Sequence, residues 1–128
     1  MAHVLIIDDE LPVRTVLRAL LEREGHTVLD APDGRAGLAL LRTSSVDLVL
    51  TDIFMPEKDG IEVIMEIKRR WPHSKIIAIT GGGQTGQTEL IPAALMLGAT
   101  RMLQKPIAKQ ALIDAVTETL ADRTVGEV

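Results

Sequence analysis

The sequence predicts an α/β fold, a doubly wound parallel sheet of five strands with helices on both faces. Five short apolar runs alternate along the chain with segments whose apolar residues recur at helical spacing. The runs are nearly continuous in apolar side chains, as is typical of strands buried on both faces of a parallel sheet. Five strand-then-helix units in a row also favour crossover connections, which keep neighbouring strands parallel.

The first strand, residues 4–7, is apolar at every position, and the segment after it has the pattern of an amphipathic helix. Arg14 and Arg18 lie off the apolar stripe of this helix, and Gly25 is typical of a helix C-terminal stop. The stripe consists of Val13, Val16, Leu17, Leu20 and Leu21.

The other elements follow in the same alternation. The third helix ends before Pro72, because a residue that precedes proline disfavours the helical conformation. Gly98 closes the fourth helix. The remaining strands are predicted at residues 26–29, 46–51, 75–79 and 101–104. The other helices are predicted at residues 35–41, 88–97 and 109–120, and Val63, Ile64 and Ile67 define the third helix.

Length and composition allow one domain of ordinary size. With 128 residues, 46% of them hydrophobic, the chain can bury a real core but has no room for a second comparable one. No linker and no short repeat divides it. We therefore predict one domain over residues 1–122 and a frayed tail over residues 123–128.

Composition also favours a cytoplasmic protein. The apolar runs are too short to span a bilayer, and Met1-Ala2-His3 lacks the basic and apolar regions of a signal peptide. The absence of cysteine excludes disulfides and thiolate metal sites and fits a reducing compartment. A net charge of −4 gives no overall field that attracts nucleic acid. We expect a cytoplasmic location without direct binding to membrane or nucleic acid.

Four of the apolar runs end in a reactive polar side chain. Asp8 and Asp9 follow the first strand, Asp52 the third, Thr80 the fourth and Lys105 the fifth. Parallel strands bring their carboxyl ends to one edge of the sheet, where open α/β sheets bind ligands. We therefore expect three carboxylates, a hydroxyl and an amine to converge there.

This set of groups suits phosphoryl transfer to an aspartate. Three close carboxylates repel one another and raise each other's pKa unless a cation relieves them. Mg²⁺ prefers hard oxygen ligands and typically bridges carboxylates to a phosphate. Lys105 supplies a positive charge for a carboxylate and then for a phosphoryl oxygen, and the Thr80 hydroxyl can donate to another.

Each of these residues also has an ordinary structural interpretation. Asp9 alone can cap the helix that follows, and Asp52 alone can cap a turn. Thr80 can satisfy backbone groups, and Lys105 can pair with a surface acid. Together these interpretations require a coincidence at four strand ends, so the functional one is preferred.

In order and placement, these residues resemble the receiver domain of response regulators in two-component signalling. The resemblance covers about residues 3–120 and implies a flavodoxin-like sheet of strand order 2-1-3-4-5 with five flanking helices. The matching residues are Asp8-Asp9, Asp52 with Met55-Pro56 and Asp59-Gly60, Thr80, and Lys105-Pro106.

The resemblance implies that Asp52 is the phosphoacceptor. The donor would be a sensor histidine kinase or a histidine phosphotransfer protein, and the receiver would catalyse only its own phosphorylation and dephosphorylation. Mg²⁺ would be bound directly by Asp9, Asp52 and the backbone carbonyl of Phe54, and by Asp8 largely through water.

The same resemblance assigns roles around the phosphoryl group. Lys105, followed by a cis bond to Pro106, would contact this group, and Thr80 would move toward it after transfer. Gly81 would leave the acyl phosphate open to a donor or to water. Met102 occupies the position of an aromatic switch residue in relatives, so coupling here would rely more on the loop after the fourth strand.

That loop, residues 81–88, contains four glycines. We hypothesise that it is mobile in the free protein and becomes ordered around the phosphoryl group and Mg²⁺. A nucleotide-binding phosphate loop is the alternative, but the segment lacks the Lys-Ser/Thr ending of that motif.

The predicted helix over residues 88–97 is apolar almost all round. Receivers commonly bind partners with their fourth helix, fifth strand and fifth helix, so we predict that this face binds a downstream target or forms a homodimer. The alternative is that the alanines of the helix leave its exposed side small. Pro92 lies in the first turn or marks a kink.

Two other functional classes are alternatives. Aspartyl-phosphate phosphatases also use an aspartate, Mg²⁺ and a lysine, but they place a second aspartate where this chain has Phe54. A degenerate receiver would only scaffold partners. The intact acidic pair argues against it, as do Asp52, Thr80 and Lys105. The sequence leaves open whether the protein binds a target, relays phosphate or belongs to a larger regulator.

Overall fold

The computed structural model describes residues 2–53, 60–81, 95 and 97–122. Strands and helices alternate along these ranges, because apolar runs with period two and apolar stripes with period 3.6 alternate in the sequence. The elements are β1 His3–Ile7, α1 Leu11–Arg23, β2 Thr27–Ala31, α2 Gly34–Thr43, β3 Leu48–Asp52, α3 Gly60–Arg70, β4 Lys75–Thr80, β5 Arg101–Gln104 and α4 Lys109–Ala121.

The five strands form one parallel sheet of order β2-β1-β3-β4-β5. This order confirms the predicted fold class. The chain passes from β1 outward to β2 and then returns to β3 on the other side of β1, so the order reverses between β1 and β3. A crevice opens at such a reversal, at the carboxyl ends of the strands.

Two hydrophobic cores lie on the two faces of the sheet. Alternate residues of β1 belong to different cores, with Leu5 and Ile7 in one and Val4 and Ile6 in the other. The first core packs under α2 and α3, and the second packs under α1 and α4. Because both faces are covered, the strands are mostly apolar, and most of their polar side chains lie at or near the strand ends.

The apolar stripe predicted for the first helix is wrong at one position. Val16 is 56% exposed, whereas Leu17 and Leu21 are buried in the core. Arg14 lies off the stripe as predicted, but its side chain is only 11% exposed, since it donates a 2.7 Å hydrogen bond to the Asp8 carbonyl. The inward side of α1 is therefore polar near the carboxyl end of β1.

Two predicted strands are displaced by one or two residues. The second strand is Thr27–Ala31 because the backbone N–H of His26 donates to the Leu21 carbonyl and still belongs to the end of α1. The third is Leu48–Asp52, so Asp52 is the last residue of the strand itself. Glu24 and Gly25, with a φ of 94° at the glycine, end the first helix as predicted.

Of the helix predicted over residues 88–97, the structure describes only Leu95 and Leu97, both helical and partly exposed. Gly98 follows with a φ of 137°, which suits its predicted place at a helix end. Four helices are thus bounded in the described part of the chain. Other predictions fall on residues outside it, namely those for Phe54, Met55-Pro56, Asp59, the loop beyond Gly81, Pro92 and the tail 123–128.

Among the described residues, no helix combines the length and the apolar character needed to cross a membrane.

Candidate functional site

The carboxyl ends of four neighbouring strands bring the predicted groups to one edge of the sheet. Ile7 pairs with Thr51 across β1 and β3, so Asp8 and Asp52 are adjacent positions beyond that pair. Thr80 ends β4 and pairs with Gln104 of β5, the residue before Lys105. The Lys105 Nζ lies 2.9 Å from Asp8 Oδ2 and 3.0 Å from Asp52 Oδ2.

Four carboxylates cluster at this edge. Asp8, Asp9, Glu10 and Asp52 each offer an oxygen, and these oxygens lie within 4.8 Å of one another. Asp8 and Asp52 are buried, whereas Asp9 and Glu10 are exposed. Sequence reasoning missed Glu10 as a member of the site. The only signal for it was a third acidic residue directly after the predicted pair.

Asp8 is fully buried and is held from two sides. Its Oδ1 accepts a 2.8 Å hydrogen bond from the backbone N–H of Glu10. Its Oδ2 lies 2.9 Å from Lys105 Nζ but receives no hydrogen bond. A buried carboxylate is costly to keep ionised without a positive charge beside it, so this is a position that favours a cation, and the Lys105 ammonium lies there.

Burial raises the pKa of the Asp8 carboxyl above its ordinary value. The hydrogen bond from Glu10 and the charge of Lys105 oppose this shift without cancelling it. The protein therefore favours the neutral form of Asp8 more than the unfolded chain does. Keeping this carboxylate ionised at neutral pH costs stability in the absence of a bound cation.

Replacing Asp8 with Asn is therefore expected to raise the free energy of unfolding by roughly 1 kcal/mol in EDTA at neutral pH. Asparagine keeps an acceptor for the Glu10 N–H but removes a buried charge. The change is a gain in stability because the raised pKa of Asp8 makes wild-type stability fall as pH rises above the ordinary carboxyl range. Urea denaturation measures the difference. The matched control is Asp30→Asn, which removes a half-buried carboxylate paired with Arg18 at 3.1 Å.

An Asp8→Asn protein less stable than wild type would contradict this account of Asp8. It would mean that the ion pair with Lys105 outweighs the burial of the charge. The control should show no gain, since its loss removes a favourable ion pair.

Lys105 is surrounded by carboxylates of different strands and loops. Its Nζ donates hydrogen bonds to Glu10 Oε2 at 2.6 Å and to Asp52 Oδ2 at 3.0 Å. Burial alone would lower its pKa, but the close carboxylates of Glu10, Asp8 and Asp52 outweigh burial and raise the pKa above the ordinary lysine value. Lys105 therefore stays a cation at any physiological pH.

The backbone fixes where Lys105 points. Its N–H donates to the Thr80 carbonyl at 2.8 Å, which joins the end of β5 to the end of β4. The bond to Pro106 is cis, as the resemblance implies. Thr80 itself is buried, and Gly81 after it is half-exposed at the rim of the site.

Asp52 is buried except for its approach from the edge, with 4% of its surface exposed. The backbone just beyond it is held on two sides, since the Ile53 N–H donates to the Ile79 carbonyl and its own carbonyl accepts from Gly60. Gly60 starts α3 against this strand end. A Cβ there would lie 2.3 Å from the Asp52 carbonyl oxygen, so only glycine fits.

A groove over Asp52 opens the site to solvent. It is lined on one side by α1 and on the other by the segment after β5, and it contains both apolar and charged side chains. The apolar lining comes from Pro12, Val13, Val16, Leu17, Pro106 and Ile107. Asp52 is thus buried in the fold yet reachable by a group that enters from this groove.

The donor set of the cluster fits Mg²⁺. All the side-chain ligands are carboxylate oxygens, which Mg²⁺ prefers, and the groove leaves room for the waters that this ion retains. The complete burial of Asp8, whose charge is balanced by Lys105 at 2.9 Å, also favours positive charge at this place. The acids therefore suit the metal that sequence reasoning predicted.

Comparison with known proteins agrees with this geometry. The family model of the response regulator receiver domain matches residues 4–117. The transcriptional regulatory protein GlrR of Escherichia coli K12 is 34% identical over 119 residues, which is 93% of this chain but only 26% of that protein. The chain thus spans about a quarter of this longer relative.

Two further proteins are similar over their whole length. The chemotaxis protein CheY of Halobacterium salinarum is 35% identical over 118 residues, which covers 92% of this chain and 96% of that protein. The crystal structure of a response regulator receiver domain protein from Clostridium thermocellum superposes with a TM-score of 0.85 at 34% identity, covering 94% of each chain.

Proposed function

The chain belongs to the response regulator receiver domain family, and from that premise we propose that Asp52 takes a phosphoryl group from a phosphohistidine donor. The family makes the protein a signalling phosphoacceptor of two-component systems. The contact that supports Asp52 as the acceptor is the 3.0 Å hydrogen bond from Lys105 to its Oδ2, at the floor of an open groove. A buried carboxylate beside a permanent cation and within reach of solvent is suited to act as a nucleophile.

In the proposed reaction, an oxygen of the Asp52 carboxylate attacks phosphorus and forms an O–P bond. The P–N bond to the donor imidazole breaks, and its electron pair leaves with the imidazole nitrogen. Lys105 faces the oxygens that gain charge during this transfer, because its Nζ already contacts Asp52. The buried position of Asp52 limits the number of waters that can compete for the phosphoryl group.

Mg²⁺ would be held by Asp9 and Asp52, with Asp8 nearby and the Phe54 carbonyl as a further ligand. The cluster of acidic oxygens and the burial of Asp8 support the part of this assignment that concerns the aspartates. When bound, Mg²⁺ neutralises negative charge on the phosphoryl oxygens. Lys105 meanwhile balances the charge of the acids around it.

Thr80 and Gly81 lie at the end of β4, where a conformational response to phosphorylation would begin. We propose that the Thr80 hydroxyl turns to a phosphoryl oxygen and that the loop after it follows. The outcome would be a change in affinity for a downstream protein in the cytoplasm. That protein would bind the face formed by the helix predicted over residues 88–97 together with β5 and α4. A shift of about 1 to 3 kcal/mol in partner affinity suffices for such a signal.

Intact mass after incubation with phosphoramidate tests the proposal. We expect wild type to gain one phosphoryl group in Mg²⁺ and none in EDTA, and we expect Asp52→Asn to gain none in either. The matched control is Asp30→Asn, an aspartate outside the site that pairs with Arg14 and Arg18. This control should gain one group as wild type does.

A folded wild-type protein that stays unmodified in Mg²⁺ would contradict the proposed function. Retained modification of Asp52→Asn would contradict the assignment of the acceptor. Thermal unfolding of each variant checks that loss of modification reflects chemistry rather than loss of fold.

A further inference from the structure

The side chain of Glu10 contacts Lys105 and does not cap α1, the helix that starts at the next residue. Glu10 is the N-cap residue of α1, yet its side chain accepts no capping hydrogen bond there. Its carboxylate accepts from Lys105 at 2.6 Å, which is shorter than the contacts of Lys105 with Asp8 at 2.9 Å and Asp52 at 3.0 Å. The closest ion-pair partner of Lys105 is thus a residue that the proposed reaction does not use.

The donors of one ammonium group are limited to three N–H bonds. Three carboxylate oxygens already surround the Lys105 ammonium within 3.0 Å, one each from Asp8, Glu10 and Asp52. A phosphoryl oxygen that arrives on Asp52 needs a donor from the same ammonium. It therefore competes with Glu10 for Lys105.

Of the three carboxylates around Lys105, Glu10 loses the least free energy when it gives up its contact with the lysine. Its side chain is 56% exposed, against 0% for Asp8 and 6% for Asp52. An exposed carboxylate exchanges an ion pair for water with little net loss, whereas a buried one has no water to replace its partner.

The backbone of Glu10 stays in place when its side chain moves. Its N–H donates to Asp8 Oδ1 at 2.8 Å, and its carbonyl accepts from the Arg14 N–H at 3.1 Å in the first turn of α1. Rotation of the side chain alone is therefore enough to free Lys105.

We propose that Glu10 is a positioning residue that holds Lys105 in the unphosphorylated protein and releases it to the incoming phosphoryl group. This inference rests on the proposed function of Asp52. Because Glu10 neutralises part of the lysine charge and occupies one of its donors, it slows phosphoryl transfer. The bonds formed and broken are those of the proposed reaction, and only the charge available to the transferred group changes.

Rates of phosphorylation by phosphoramidate at saturating Mg²⁺ test this role. We expect Glu10→Gln to react about two- to fivefold faster than wild type, the range set by loss of a partly exposed ion pair. Glu22→Gln is the matched control, since it removes an acid of α1 with a similarly exposed side chain, 48% against 56%, that pairs with Arg18. It should react at the wild-type rate.

The same substitution in a Lys105→Met background shows whether Glu10 acts through the lysine. We expect no acceleration there, because the contact that Glu10 makes is already gone. An equal acceleration in both backgrounds would overturn the proposal, since Glu10 would then act directly on the donor. Equal rates for Glu10→Gln and wild type would also overturn it.

The ¹⁵N resonance of the Lys105 amino group provides a readout that does not depend on turnover. We expect Glu10→Gln to shift it in Mg²⁺-free protein and Glu22→Gln to leave it unchanged. An unshifted resonance would contradict the contact itself. If wild type gains no phosphoryl group although this resonance shifts, then the proposed function fails and the role of Glu10 in phosphorylation fails with it.

Discussion

Replacing Lys105 with Met is expected to slow phosphorylation of Asp52 by about a hundredfold or more, the cost of removing one group that stabilises charge in a transition state. Lys105 Nζ lies within 3.0 Å of carboxylates from three residues of the site, and it is the cation aimed at Asp52. Methionine keeps the length of the side chain without the charge. Single-turnover rates with phosphoramidate at saturating Mg²⁺ measure the effect.

The same substitution should lower stability when no metal is present. Asp8 and Asp52 are buried and would lose their shared counterion, so we expect the free energy of unfolding in EDTA to fall by about 2 kcal/mol. Mg²⁺ should restore more stability to Lys105→Met than to wild type, because the ion then supplies the positive charge that the lysine no longer provides.

Lys109→Met is the matched control for both measurements. Lys109 lies at the start of α4, is exposed, and carries the same charge four residues further along the chain. It should leave the rate unchanged and alter stability little. A Lys105→Met protein that reacts as fast as this control would contradict the role of Lys105.

The largest expected effect on stability comes from Gly60→Ala, which should lower the free energy of unfolding by about 2 kcal/mol or more. An added Cβ would lie 2.3 Å from the Asp52 carbonyl oxygen and 2.5 Å from Ile53 Cα. Both are backbone atoms, and the strand end that carries them is fixed by hydrogen bonds to β4 and α3. Relief would require the backbone of Asp52 to move, so phosphorylation should slow as well.

Gly37→Ala is the comparison that isolates this backbone effect. Its added Cβ would lie 2.4 Å from Ile7 Cδ1, the end of a side chain that can change rotamer. Alanine in the middle of α2 also favours the helix by about 1 kcal/mol. Urea denaturation should therefore show a clearly smaller loss for Gly37→Ala. Equal losses would contradict the claim that the fixed Asp52 backbone is responsible.

Much of the fold was predictable because burial on both faces of a parallel sheet leaves an unbroken apolar run. Such a run fixes both a strand and the place where it ends, and Asp8, Asp52 and Lys105 occupy those places. Because the strands are parallel, these residues must lie along the same edge of the sheet. For that reason their nearness at one edge was foreseeable, whereas the contacts within 3.0 Å also depend on side-chain conformation.

Features that depend on side-chain direction were not predictable in this way. Glu10 joins the site because its side chain turns to Lys105 rather than to the end of α1, and a sequence pattern does not encode that choice. Val16 was misplaced because helical spacing alone gives a stripe but not its width, and the structure leaves it 56% exposed. Arg14 is drawn inward by the Asp8 carbonyl, a partner that only the folded chain supplies.

Chemical trapping shows which carboxyl group carries the phosphoryl group, which we expect to be that of Asp52. Borohydride reduces an acyl phosphate to an alcohol, so treatment of the phosphorylated protein followed by peptide mass spectrometry locates the modified carboxyl. We expect one reduced residue, Asp52, in Mg²⁺ and none in EDTA. Reduction at Asp8, Asp9 or Glu10 instead, or a phosphoryl gain without any reduced carboxyl, would contradict the account.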